Sequence, residues 1–110
     1  MLEEHLSKLR YNVKSMHQLG IVHRDIKPAN IMYCGSKRAL VLVDFGLATE
    51  VSAVAENLHF TSYCGTSKYM SKAMKDLESE REGFINLFEN DMHALELSIE
   101  EIKANNQGKT

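Results

Sequence analysis

Proline, cysteine and long apolar stretches are scarce in this 110-residue sequence: one proline, Pro28, two cysteines, Cys34 and Cys64, and no apolar run longer than Ala39 to Val43. A bilayer crossing takes about 18 or more apolar residues, so no transmembrane helix is expected. Residues 1 to 20 carry Glu3, Glu4 and His5 where a secretory signal would need an uninterrupted apolar core. The cysteines form no C-x-x-C pair, and no histidine stands at the usual zinc spacing from both. They read as free thiols in a reduced, intracellular setting, cytoplasm or nucleus. Charge of one sign is also lacking. The net charge of −2 and pI near 6.2 provide no basic field to gather nucleic acid or anionic lipid, so neither partner is expected.

With 44% apolar and 25% charged residues, the chain has the composition of an ordinary globular protein with room for one small domain. Its halves differ, because residues 1 to 55 balance to +2 and residues 56 to 110 to −4. Leu2, Leu6, Leu9, Val13 and Met16 recur at steps of three and four, and Gly20 follows as a stop, which predicts a helix over 2 to 19. Pro28 places a loop after Ile21-Val22. Ile31 to Tyr33 and Leu40 to Val43 flank Cys34-Gly35-Ser36-Lys37-Arg38 as a small hairpin with a glycine-containing turn. Residues 44 to 71 show no sustained period, a long connection of the kind kept for function. A short charged helix over 72 to 82 follows, then a closing helix of about 90 to 104, with Asn90-Asp91 as its capping residues. Asn105 to Thr110 reads as a frayed end.

The dense signal is His23-Arg24-Asp25-Ile26-Lys27-Pro28-Ala29-Asn30, then a hairpin, then Val43-Asp44-Phe45-Gly46. In this order and spacing the chain resembles the eukaryotic protein kinases, through an H-R-D-x-K-P-x-N catalytic loop at 23–30 and a D-F-G magnesium loop at 44–46. The K-P-x-N form is similar to serine/threonine rather than tyrosine kinases. The resemblance implies that Asp25 accepts or orients the substrate hydroxyl proton, that Lys27 places positive charge near the γ-phosphate of ATP, and that Asn30 and Asp44 hold Mg2+ through hard oxygen donors. It places Met32 under the adenine and stacks Phe45 on His23 in a column coupling the two kinase lobes. It also gives Asp91 a carboxylate that accepts catalytic-loop amides, although an N-cap role reads equally well from sequence. Gly46 is expected at the sharp turn, where only glycine reaches positive φ without cost.

Ser62-Tyr63-Cys64-Gly65-Thr66-Ser67-Lys68-Tyr69-Met70 resembles the end of an activation segment spanning 44–73. By that resemblance Thr66 contacts the catalytic carboxylate and lysine. Ser62, with Thr61 beside it, matches the phosphosite that Arg24 would pair with. The family's A-P-E is replaced by Ser71-Lys72-Ala73, and Glu96 stands where the family has glycine. No G-x-G-x-x-G and no V-A-I-K lysine occur. The implied fold is mainly α with a small β-hairpin, a partial kinase domain over 1–110 comprising part of the C-terminal lobe and no N-terminal lobe. Two functions follow: a serine/threonine kinase using ATP and Mg2+ on a protein substrate, or a truncated, inactive remnant that only binds. Either leaves apolar faces for an upper-lobe segment or partner to cover.

Overall fold

The computed structural model describes residues 1–52 and 58–107. Helix α1 spans Leu2–Gln18 and buries Leu6, Leu9 and Val13, the stripe its periodicity requires. It ends at Gly20, whose N–H donates to the His17 carbonyl (2.9 Å) with φ at +78°. A Cβ there would lie 2.7 Å from the Val51 carbonyl oxygen, so the position excludes larger residues on both counts. Strand β1 (Ile21–Val22) leads to an extended Lys27 and a single 3-10 turn opened by Pro28 (Pro28–Asn30). Proline disfavours helix in the residue before it and needs no amide at the first helical position.

Strands β2 (Ile31–Cys34) and β3 (Ala39–Leu42) form the expected hairpin, with Ile31 opposite Leu42 and Cys34 opposite Ala39. The left-handed residue of its turn is Arg38 (φ 49°). The stretch expected to be one irregular connection contains two more strands, β4 (Thr49–Glu50) and β5 (His59–Ser62). Strand β4 pairs with β1, and β5 pairs with β6 (Glu82–Ile85), both antiparallel. The described residues therefore hold three two-stranded sheets rather than one hairpin. Strands of two to four residues are too short to show a period, which is why sequence patterning missed them.

The helix expected over 72–82 is shorter. Helix α2 covers Lys72–Lys75 and gives way to turns, because Glu82 already belongs to β6. Helix α3 is longer than expected, Leu87–Gln107; residues 53–57 of the expected activation segment and 108–110 of the expected frayed end lie outside the described residues. Its cap is Asn86, whose Oδ1 accepts the Glu89 N–H (3.1 Å), not Asn90-Asp91. That shift puts Asn90 and Asp91 inside the first turns, where both are buried and bond to other segments.

Two apolar clusters result. Leu6, Leu9 and Val13 of α1 meet Ala94, Leu95 and Ile99 of α3, with Ile26 and Ile31 between. Val22, Met70, Met74, Ile85 and Leu87 form the second. Among the described residues no helix is long and apolar enough to cross a membrane.

Candidate active site

The 23–30 loop hangs on one buried carboxylate. Asp91 is 1% exposed; its Oδ2 accepts the His23 N–H (2.8 Å) and its Oδ1 the Arg24 N–H (2.9 Å). His17 Nε2 lies 2.9 Å from Oδ2, and because an ionised carboxylate only accepts, the imidazole donates. Of the two readings of Asp91 from sequence, the geometry is that of a loop anchor. Arg24 then takes φ 70°, a left-handed value that costs a branched or long side chain energy unless its surroundings fix it.

His23 joins this loop to the next. Its Nδ1 accepts the Asp25 N–H (3.1 Å), which leaves Nε2 to donate to the Val43 carbonyl (2.9 Å), one residue before Asp44. The Val43 N–H in turn donates to the Asn30 carbonyl (2.9 Å). Phe45 packs edge-on against the His23 ring with centroids 4.9 Å apart. The residues at 25, 30 and 44 are thereby set by one hydrogen-bonded frame.

Within it, Thr66 Oγ1 donates to Asp25 Oδ1 (2.8 Å) and accepts from Lys27 Nζ (2.9 Å), while Lys27 Nζ stands 3.9 Å from Asp25 Oδ2. Asn30 Nδ2 donates to the Asp25 carbonyl (2.9 Å). Its amide hydrogens being turned inward, Asn30 keeps Oδ1 as an acceptor. Thr66 reaches this place because Gly65, at φ 110°, presses against the Arg24 carbonyl: an added Cβ would sit 2.7 Å from that oxygen.

One expectation needs correction. Gly46 does not take the positive φ; Asp44 does, at 57°, and Gly46 instead lets its N–H approach Asp44 Oδ1 (3.2 Å), where a Cβ would crowd the same oxygen. In the unmodified chain Arg24 bonds to other partners than Ser62. Its Nε donates to the Leu47 carbonyl (2.7 Å) and its Nη1 to Thr61 Oγ1 (3.0 Å), since alternation along β5 turns Thr61 inward and Ser62 out. Met32 is 55% exposed on β2 opposite Val41, and Val41 lines a cavity of about 350 Å3 together with Leu9, Val13, Met16, Ile21, Leu42 and Phe45.

Ser71-Lys72-Ala73, where the resemblance leads one to expect A-P-E, is tied down by local contacts. Ser71, in place of the alanine, donates its N–H (3.0 Å) and hydroxyl (2.9 Å) to Asn90 Oδ1 and caps α2 by accepting the Met74 N–H (3.3 Å). Tyr69 donates its hydroxyl to Glu101 (2.7 Å), and Lys68 pairs with the same carboxylate (2.6 Å). The Lys68 hydrogen bond holds the Glu101 carboxyl below its usual range, and Glu101 pushes the Tyr69 phenol up. Sequence reasoning missed His17, Asn90 and the role of Thr61, because nothing local marks a residue whose partner lies far along the chain.

The protein kinase domain family matches residues 2–82. The chain belongs to the eukaryotic protein kinases. It is 44% identical over 59 residues to the serine/threonine-protein kinase AtPK1/AtPK6 of Arabidopsis thaliana, 54% of this chain and 12% of that one. It is 39% identical over 71 residues to the dual specificity protein kinase TTK of Mus musculus, covering 64% and 8%. With the cell division cycle 7-related protein kinase of Homo sapiens it shares 47% identity over 47 residues, 43% and 8%. This kinase sequence thus spans about an eighth or less of the length of these relatives.

Proposed function

We propose that this chain carries the catalytic-loop part of a serine/threonine protein kinase site, in which the γ-phosphate of ATP passes to a protein Ser or Thr hydroxyl. The observation that carries the reading is the triangle of Asp25, Lys27 and Thr66, closed by hydrogen bonds of 2.8 and 2.9 Å. Such a carboxylate is oriented to take a hydroxyl proton while an ammonium beside it meets phosphate charge. In this reading residues 23–30 are the catalytic loop, 44–46 the magnesium loop, 44–73 the activation segment and the whole a part of the C-terminal lobe.

Among the described residues no three His, Cys, Asp or Glu side chains converge on a metal position. Asn30 Oδ1 and the exposed Asp44 carboxylate are nonetheless hard oxygen donors of the kind Mg2+ takes together with nucleotide phosphates. Magnesium held there would neutralise phosphate charge. Asp44, Phe45 and Met32 all stand at the surface, where an upper-lobe segment and the adenine would cover them. The two free thiols suit an intracellular location, which is part of the proposal.

That open surface also favours the second reading, a chain that binds nucleotide or a partner without transferring phosphate. Two assays separate the readings. Calorimetry is expected to find weak, magnesium-dependent ATP binding; submicromolar binding without metal contradicts both. Radiolabel transfer from ATP to casein is expected to vanish in Asp25→Asn with nucleotide affinity kept, and Asp44→Asn to lower both. Transfer absent from the unaltered chain, with binding present, selects the second reading.

A further inference from the structure

The ribbon of β5 and β6 is apolar on its outer face and partly polar on its inner one, the reverse of the usual antiparallel arrangement. His59 and Thr61 are buried, whereas Leu58 and Phe60 are 59% and 56% exposed; on β6, Ile85 is buried and Phe84 is 65% exposed. The register puts Phe60 opposite Phe84, with ring centroids 5.5 Å apart at 68°. An edge-to-face pair of this kind stabilises the ribbon modestly and leaves much of both rings facing water.

A slip of one residue would turn the phenylalanines inward, and the inner face prevents it. His59 Nδ1 accepts the Leu87 N–H (3.1 Å), and the His59 ring lies edge-on to Phe88 with centroids 5.1 Å apart. Ile85 is buried in the second apolar cluster, and Gly83 lies so close to Leu77 that a Cβ would sit 2.6 Å from Leu77 Cδ2. The aromatic pair is thus held outward by a ribbon fixed to the body, so contact with another molecule costs little ordering. Grouped apolar side chains of this kind mark interaction sites, in which aromatic rings supply a large share of the binding free energy. Charge identifies the occupant. Between residues 76 and 84 stand four exposed carboxylates, Asp76, Glu78, Glu80 and Glu82, against one cation, Arg81, which lies over the Tyr63 ring at 5.2 Å. Glu82 shares the exposed face with Phe84. Two copies joined by this face about a twofold axis would set the same carboxylates against one another, and an anionic lipid surface would be repelled likewise. A segment with a large apolar side chain beside lysine or arginine meets both the rings and the carboxylates.

We propose that Phe60 and Phe84, with Leu58 and Glu82 beside them, form a docking face for an extended segment of a partner protein in which large apolar residues are flanked by lysine or arginine. The face shares no residue with the triangle of Asp25, Lys27 and Thr66, and binding to it requires neither nucleotide nor phosphate transfer.

Fluorescence anisotropy on the full chain without nucleotide tests it, the probe being a fluorescein-labelled peptide with phenylalanine and leucine at alternate positions between arginines. The unaltered chain is expected to bind this peptide, and Phe60→Ser combined with Phe84→Ser to bind it about tenfold more weakly or worse, the loss expected when anchoring aromatics are removed. Glu82→Lys also weakens binding, by a margin that shrinks as salt rises. A second peptide with glutamates in place of the arginines binds about tenfold more weakly than the first. No binding of the arginine peptide, equal binding by the double variant, or equal binding of the two peptides overturns the proposal. So does sedimentation equilibrium showing a dimer of the unaltered chain that the double variant lacks, since the occupant is then a second copy. Circular dichroism reports whether the double variant folds; if it does not, Phe84→Thr, Glu82→Lys and the two peptides on the unaltered chain decide. With no nucleotide in these samples, the result is independent of the ATP-binding and transfer assays.

Discussion

Asp91 takes hydrogen bonds from two backbone amides and one imidazole while almost fully buried, so its removal leaves several donors without an acceptor. Asp91→Ala is expected to lower stability by about 3 kcal/mol in urea denaturation, because each orphaned buried donor costs roughly 1–3 kcal/mol. A loss under about 1 kcal/mol would show that water replaces the carboxylate. The glycines offer a second test at this scale. Gly65→Ala is expected to cost about 1–3 kcal/mol, since φ of 110° and a 2.7 Å approach to the Arg24 carbonyl both penalise a Cβ. Gly46→Ala, at an ordinary φ and 3.2 Å from a movable carboxylate, is expected to cost less. Equal midpoints for the two variants in parallel melts would contradict this. Asp25, Lys27, Asn30 and Asp44 were legible because their letters are close together and their order is distinctive. Thr61 and His17 were not, because a hydroxyl or an imidazole gains meaning only from a partner 37 or 74 residues away.

Among the elements, α1 and α3 announced themselves by period, and the hairpin by its turn. The ribbons of β4 and β5 stayed hidden because pairing, not local propensity, makes them strands. Glu96 is the instructive departure on α3. It stands where the resemblance leads one to expect glycine and forms a two-pronged ion pair with Arg10 of α1, both bonds 2.8 Å, joining the two long helices. The hydrogen bonds from Arg10 hold the Glu96 carboxyl below its ordinary range. A carboxylate with a depressed folded pKa stabilises the fold above its unfolded value and loses that contribution as pH falls through the folded one. Both side chains are a third or more exposed, so solvent screening limits the contribution to about 1 kcal/mol or less. Glu96→Gln is therefore expected to be less stable than the unaltered chain at pH 7 and nearly equal to it at pH 3. A difference that persists undiminished at pH 3, in matched urea titrations, would assign the effect to packing.

The whole molecule measures 44 × 27 × 21 Å with a radius of gyration of 14.3 Å, against about 13 Å for a compact chain of this length. Its looseness fits the open cavity beside Phe45 and the groove along α3 between Met92 and Leu97. Sequence could foresee that apolar faces would lie uncovered, since that follows from how much of the family's pattern is present. What it could not show is that one helix closes everything: α3 supplies Asp91 to the loop, Leu95 and Ile99 to the first cluster and Leu87 to the second. A chain ending at Asn86 is expected to show no cooperative thermal transition by circular dichroism. A retained transition would mean that α1 and the ribbons form a core without it.

The distance along the chain between Arg10 and Glu96 sets a time as well as a geometry. During synthesis Leu6, Leu9 and Val13 leave the ribosome before Ala94, Leu95 and Ile99, their partners on α3. At about 5–20 residues per second, the interval is roughly 4 to 17 seconds. Throughout it, the apolar stripe of α1 has only Ile26, Ile31 and the hairpin residues Leu40 and Leu42 to pack against, so the side that α3 covers is open to other apolar surfaces.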